Sequence, residues 1–190
     1  MRSLLYATGN SDKFRQAQFA CRPAGIELIQ NSLEVPEIQG EDERLIALDK
    51  AAKAYAKFKE PLIISDDSWI IPGLNGFPGP YMKSMGLWLT AVDWLNLTRG
   101  LSDRRVILRQ LVVYQDTSEA EVIFAHDING VLLTDLWGNP KDQKNQQDYI
   151  VSFDGGTHSI AELNHQGKRA LADSRSVWDE FVEWYTQKVA

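Results

Sequence analysis

The stretch Ile63-Ile64-Ser65-Asp66-Asp67-Ser68 is a β-branched apolar run that ends in two adjacent carboxylates. β-Branched side chains favour the pleated surface of a strand, so the run reads as a strand that carries acids to the mouth of a sheet. A first apolar strand, Leu4-Leu5-Tyr6-Ala7, is followed directly by a polar turn, Thr8-Gly9-Asn10-Ser11-Asp12-Lys13. One segment suits a divalent cation and the other suits phosphate.

The spacing between these segments predicts alternating strands and helices. A strand over Ser3–Ala7 leads to a helix that Asn10 or Ser11 can cap, running to Cys21 with Phe14, Ala17 and Cys21 inward, and Gly25 stops it. A strand over Glu27–Ile29 precedes the loop Asn31–Asp42, where Pro36 and Gly40 forbid regular structure. From Glu43 to Phe58 the residues Leu45, Leu48, Ala52, Tyr55 and Phe58 recur at helical spacing, which predicts an amphipathic helix with those residues inward. Pro61 breaks the chain before the strand Leu62–Ser65, and the Gly/Pro-rich segment 72–81 reads as a shaped loop.

Leu87–Leu97 reads as one helix whose Trp88 and Trp94 belong to a core, and the same tryptophans with Tyr81 also suit an interface. Strands follow over Arg105–Tyr114 and Glu121–Ala125, and Asp127-Ile128-Asn129-Gly130 predicts a hairpin turn into Val131–Leu136. Val177, Trp178, Phe181, Trp184 and Tyr185 define a closing helix. Early alternation followed by consecutive strands predicts an α/β fold, a core sheet extended by an antiparallel lobe, with the natural site in a cleft between two lobes.

At 190 residues the chain suits one domain, spanning 1–190, with its own core. Its one cysteine, Cys21, cannot form an internal disulfide and reads as a small buried apolar residue. Without a CxxC pair or Cys/His spacing a zinc site is not expected. The chain opens on a strand rather than an apolar leader, and no apolar run approaches the ~20 residues of a membrane span. These features predict a cytoplasmic protein with no membrane association. The net charge of −6 argues against a general partner of nucleic-acid polymers.

In the turn after the first strand, Gly9 lets backbone approach an anion, the following helix offers free N–H groups and its positive end, and Lys13 adds charge. It is not a Walker loop. Glu37, Glu41, Asp66 and Asp67 are hard oxygen ligands from two loops, suited to Mg²⁺, and Asp67 is placed to take a proton from attacking water. Lys50 and Lys83 read as solvated lysines, and His158 and His165 as surface polar residues, since no nucleophile at a telling spacing accompanies either histidine.

These pieces in this order resemble the inosine triphosphate pyrophosphatase family. The resemblance rests on Thr8-Gly9-Asn10 with Lys13, Val35-Pro36-Glu37-Ile38-Gln39-Gly40-Glu41, Ala47 to Ala51 around Lys50, Ser65-Asp66-Asp67-Ser68, and Leu74-Asn75-Gly76-Phe77-Pro78-Gly79-Pro80-Tyr81. It implies a two-lobed fold with an elongated mixed central sheet flanked by helices, a homodimer, and Mg²⁺-dependent hydrolysis of inosine, deoxyinosine and xanthosine triphosphates to monophosphate and pyrophosphate. Matched position by position, it implies triphosphate contacts at Thr8, Asn10, Lys13 and Lys50, metal-binding acids at Glu37 and Asp67, a proton acceptor at Asp67, and Ser68 beside the substrate.

The C-terminal half departs from the family pattern. Where the family reads the purine with a glycine-phenylalanine-glycine-aromatic-aspartate motif, this chain has Lys144-Asn145-Gln146-Gln147-Asp148. Asp148 survives, and Tyr149 or Phe153 can replace the stacking phenylalanine after a shift. The family's serine-histidine-arginine motif is shortened to Asn164-His165-Gln166-Gly167-Lys168-Arg169. Either His165 keeps its role with Lys168 or Arg169 supplying the cation, or the pocket is rebuilt. Trp69 stands where many members have glycine. Two further readings stay open beside the purine enzyme: a sibling pyrophosphatase for another base, and an inactive nucleotide-binding protein of the same fold.

Overall fold

The computed structural model describes residues 2–32, 38–117, 121–139, 145–163 and 175–188. Its strands are β1 (Arg2–Ala7), β2 (Ile26–Asn31), β3 (Leu62–Ile70), β4 (Pro78–Gly79), β5 (Arg105–Gln115), β6 (Glu121–Leu132) and β7 (Val151–Ser152). The helices are α1 (Ser11–Cys21), α2 (Glu43–Phe58), α3 (Met82–Trp88), α4 (Ala91–Thr98) and α5 (Val177–Lys188). The strands form one seven-stranded sheet in the order β2-β1-β3-β5-β6-β7, with β4 added to β3. β1 pairs parallel with both β2 and β3, while β4 pairs antiparallel with β3 and β7 with β6, so the sheet is mixed.

The chain divides into two compact units, and the divisions fall within β3 after Asp66, within β5 after Arg109 and within β6 after His126. The first unit comprises residues 1–66, 110–126 and 175–190. Its strands alternate between two covered faces, as the two-residue period of a strand requires. Leu4, Tyr6, Ile26, Leu28, Ile63, Val112 and Tyr114 pack with Ala17 and Cys21 of α1 and with Val177, Trp178, Phe181 and Tyr185 of α5. Leu5, Ala7, Leu62, Ile64, Leu111 and Val113 pack on the other face with Ala47, Ala51 and Ala54 of α2. Helices therefore cover both sides, which is why these strands read as continuous apolar runs.

The second unit comprises residues 67–109 and 127–174. Its core gathers Ile71, Trp94, Leu95, Val106, Leu132, Ile150 and Val151. Arg104 staples it from within, its guanidinium donating to the carbonyls of Thr98 at the end of α4 and of Leu132 and Leu133 at the end of β6.

Four expectations need correction. The buried stripe of α2 is Ile46, Ala47, Ala51 and Ala54, while Leu45 is 58% exposed and Ala52 is exposed too. Leu48, Tyr55 and Phe58 pack against this cluster while partly exposed, as their spacing predicts, so the difference lies in Leu45 and Ala52 and in the burial of Ile46 and the alanines. The segment Leu87–Leu97 is two helices, because Thr90 and Asp93 form a capping box that starts α4 anew. Trp94 is core at 1% exposure, but Trp88 is 70% exposed. No hairpin forms at Asn129-Gly130, since β6 runs straight through. A Cβ at Gly130 would lie 2.6 Å from both the Phe153 ring and the Ser152 carbonyl oxygen, so this glycine answers a close approach rather than a turn. Finally, β3 continues to Ile70, its far end paired through Trp69 with Gly79 and Ile70 with Pro78.

Candidate active site

In the first unit the parallel strands run in the order β2-β1-β3. The chain leaves β1 through α1 to one neighbour and then crosses through α2 to the other, and the two helices cover opposite faces. Open α/β sheets bind ligands at this kind of switch point, beyond the carboxyl end of the strand where the order reverses, here β1. Tyr6 is level with Ile63. Continuing that register brings Thr8 level with Ser65 and Gly9 level with Asp66. The polar turn thus leaves β1 beside the part of β3 that carries the acids.

The turn is built by its cap. Asn10 is extended and its Oδ1 accepts from the N–H groups of Asp12 at 2.9 Å and Lys13 at 3.1 Å. Those are donors an anion at the helix start would otherwise take, so the cap narrows the expected anion site to the turn's remaining backbone and the Lys13 ammonium. Thr8 Oγ1 accepts from the Asn10 N–H at 3.2 Å. Gly9 has no positive φ, and a Cβ added to it would meet nothing within 4 Å. Neither the backbone nor the packing of the protein requires a glycine there.

Asp66 and Asp67 lie inside β3 and not in a loop. Both are half-buried. The strand period sends Asp66 to the face of Leu62 and Ile64, which α2 and its half-buried Lys50 cover, and Asp67 to the face of Ile63 and Ser65. Glu41 is exposed just before α2. Glu37 lies outside the described residues. Among the described residues no three His, Cys, Asp or Glu side chains gather as a ready cage for a metal. Mg²⁺ does not need one, because it usually keeps several waters and takes one or two carboxylates together with substrate phosphates. A hard carboxylate on β3 beside the switch point fits that habit.

In the second unit Ser68 is 1% exposed, and its Oγ has no hydrogen-bond partner among the described residues. Asp148 sits in a short 3-10 turn and accepts from Gln147 Nε2 at 3.3 Å. Gln147 is itself buried with its Oε1 unpartnered among the described residues, a feature no sequence pattern announced. Trp69 and Phe153 face each other with ring centroids 5.9 Å apart. Tyr149 is buried at 7% exposure and packs along Gly138. His165, Lys168 and Arg169 lie outside the described residues.

Residues 4–184 match the Ham1 family. The chain belongs to the Ham1 family. Over 188 residues this Ham1-family chain is 28% identical to the dITP/XTP pyrophosphatase of Methanosarcina acetivorans, covering 99% of the chain and all of its relative. It is 29% identical over 133 residues to the inosine triphosphate pyrophosphatase of Batrachochytrium dendrobatidis, covering 70% of each. Among solved structures a HAM1 protein from Coxiella burnetii superposes with a TM-score of 0.80 at 22% identity, covering 98% of this chain and 100% of the other. The fold and the family of the sequence reading are therefore correct. Among the described residues no helix is long and apolar enough to cross a membrane.

Proposed function

We propose that this Ham1-family enzyme is a nucleoside triphosphate pyrophosphatase that hydrolyses inosine, deoxyinosine and xanthosine triphosphates to the monophosphate and pyrophosphate. The observation that carries the reading is the switch point between β1 and β3, where a phosphate-suited turn leaves β1 beside the parallel strand that carries Asp66 and Asp67 within its length. Relatives matched along nearly the whole chain and named dITP/XTP pyrophosphatase support the choice of substrate.

Hydrolysis of a phosphoanhydride needs its charge neutralised and its water oriented more than it needs covalent chemistry. In this reading Asp67 orients the water and accepts its proton. Lys13 and Lys50 neutralise the triphosphate, Thr8 and the Gly9 backbone cradle it, and Asn10 offers its side-chain Nδ2–H, its Oδ1 being engaged by the helix and its backbone N–H by Thr8 Oγ1. Ser68 lies beside the substrate. At the base end Asp148, His165, Lys168 and Arg169 take part. Mg²⁺ would be held by Asp67 and Glu37, with Glu41 the further acid from the loop before α2 and Asp66 turned to the face that α2 and Lys50 cover, and it would supply charge neutralisation to the phosphates. The working form is a cytoplasmic homodimer.

A panel of inosine, xanthosine, guanosine, adenosine, uridine and thymidine triphosphates, with deoxy forms and Mg²⁺, tests the reading. Pyrophosphate release selective for inosine and xanthosine compounds is expected. Selective turnover of another base would favour a sibling enzyme, orthophosphate release would contradict cleavage between the α and β phosphates, and binding without turnover would favour the inactive protein.

A further inference from the structure

Tyr6 is a polar-tipped residue in an apolar place. It is fully buried, and its ring lies 6.2 Å from that of Phe14 on α1 and 5.4 Å from that of Trp178 on α5. Its hydroxyl meets Ser65 Oγ on β3 at 2.5 Å, and Ser65 is buried as well. The bond reaches diagonally, since the backbone partner of Tyr6 is Ile63. One side chain therefore touches the helix that carries Lys13, the closing helix and the strand residue that precedes Asp66.

Stability does not call for this arrangement. Replacing both partners of a buried hydrogen bond by apolar groups of the same shape is close to neutral, so phenylalanine and alanine would fill the seam between β1 and β3 equally well. The hydroxyl pair adds a fixed distance, tying the last residues of β1 to β3 just before the Thr8–Lys13 turn on one strand and Asp66 on the other.

We propose that Tyr6 and Ser65 are a positioning pair for the candidate active site, holding the phosphate-suited turn in register with Asp66 and Asp67. The inference rests on the pyrophosphatase reading above. Neither residue touches substrate; they act through the groups that follow them in the chain.

The test is a double-mutant cycle with Tyr6→Phe and Ser65→Ala, assayed by pyrophosphate release from xanthosine triphosphate well below the melting temperature. A misplacement of about 1 Å can cost a rate about a hundredfold, so the loosening in each single variant should lower kcat about tenfold with KM little changed. The double variant should lose no more than the worse single, and Ser65→Thr, which keeps a hydroxyl, should retain most of kcat. Full kcat in both singles, or losses that multiply in the double, would overturn the pair in an active enzyme. A wild type that hydrolyses none of the triphosphates would instead overturn the functional reading, and the pair's role with it.

Discussion

Gly9 is small for no reason internal to the protein, having neither a strained backbone nor a crowded Cβ position. Gly9→Ala should therefore leave the melting temperature unchanged or slightly raised, while KM for a triphosphate rises severalfold; a melting temperature that falls with unchanged kinetics would make the glycine structural. Asp154 shows the opposite case, a charge wholly engaged by its own turn. Burial opposes its ionisation, but Ser152 Oγ at 2.7 Å, the His158 N–H and ring nitrogen at 3.0 and 2.8 Å, and the Thr157 N–H at 2.9 Å outweigh it. Its carboxyl is held well below the ordinary range. A carboxylate depressed in the folded state contributes stability fully above its unfolded pKa of about 3.9, and that contribution is lost as pH falls through the lower folded value. Melting temperature should accordingly drop below about pH 4, and Asp154→Asn should flatten that limb; identical acid limbs would deny the effect. Single residues were legible where one property decides their place. Cys21 is buried as its type predicts, and burial pushes its thiol up to about 12. Tyr6 and Ser65 were not legible, because nothing in an apolar run states which two hydroxyls will meet.

The boundaries of α2 follow from its Asp42 cap and its periodicity, and they agree with expectation. Which residues sit deepest does not follow: Ile46 and three alanines are buried, Leu48, Tyr55 and Phe58 pack against them while partly exposed, and Leu45 is exposed. Ala51→Leu should destabilise by about 1–3 kcal/mol through overpacking, whereas Leu45→Ala should stay within about 0.5 kcal/mol. Equal effects of the two in thermal melts would return the contact to the larger side chains. The length of β3 was hidden for a related reason. Aspartate is disfavoured in strands, so Asp66-Asp67 looked like the end of one, yet the strand runs through both to Trp69 and Ile70, where it pairs with β4. Asn129-Gly130 misled in the same way, since its glycine serves Phe153 across from it, and only the three-dimensional neighbour tells a turn glycine from a crowded one.

At the scale of the whole molecule the alternation of strands and helices announced an α/β fold, and the motif order announced the family. The sheet order was not legible, because partners such as β1 and β3 are brought together by crossovers that leave no local trace. That order gives the two polar segments their common height. The central claim is that the acid-bearing stretch of β3 beside the switch point performs hydrolysis, with Asp67 handling the proton. Pyrophosphate release from xanthosine triphosphate with Mg²⁺, measured side by side for the wild type and Asp67→Asn, tests it most directly. Loss of a proton acceptor removes about two to four orders of magnitude in rate, so the variant should lose at least a hundredfold in kcat with an unchanged melting curve. An Asp67→Asn protein that keeps the wild-type rate would contradict the account.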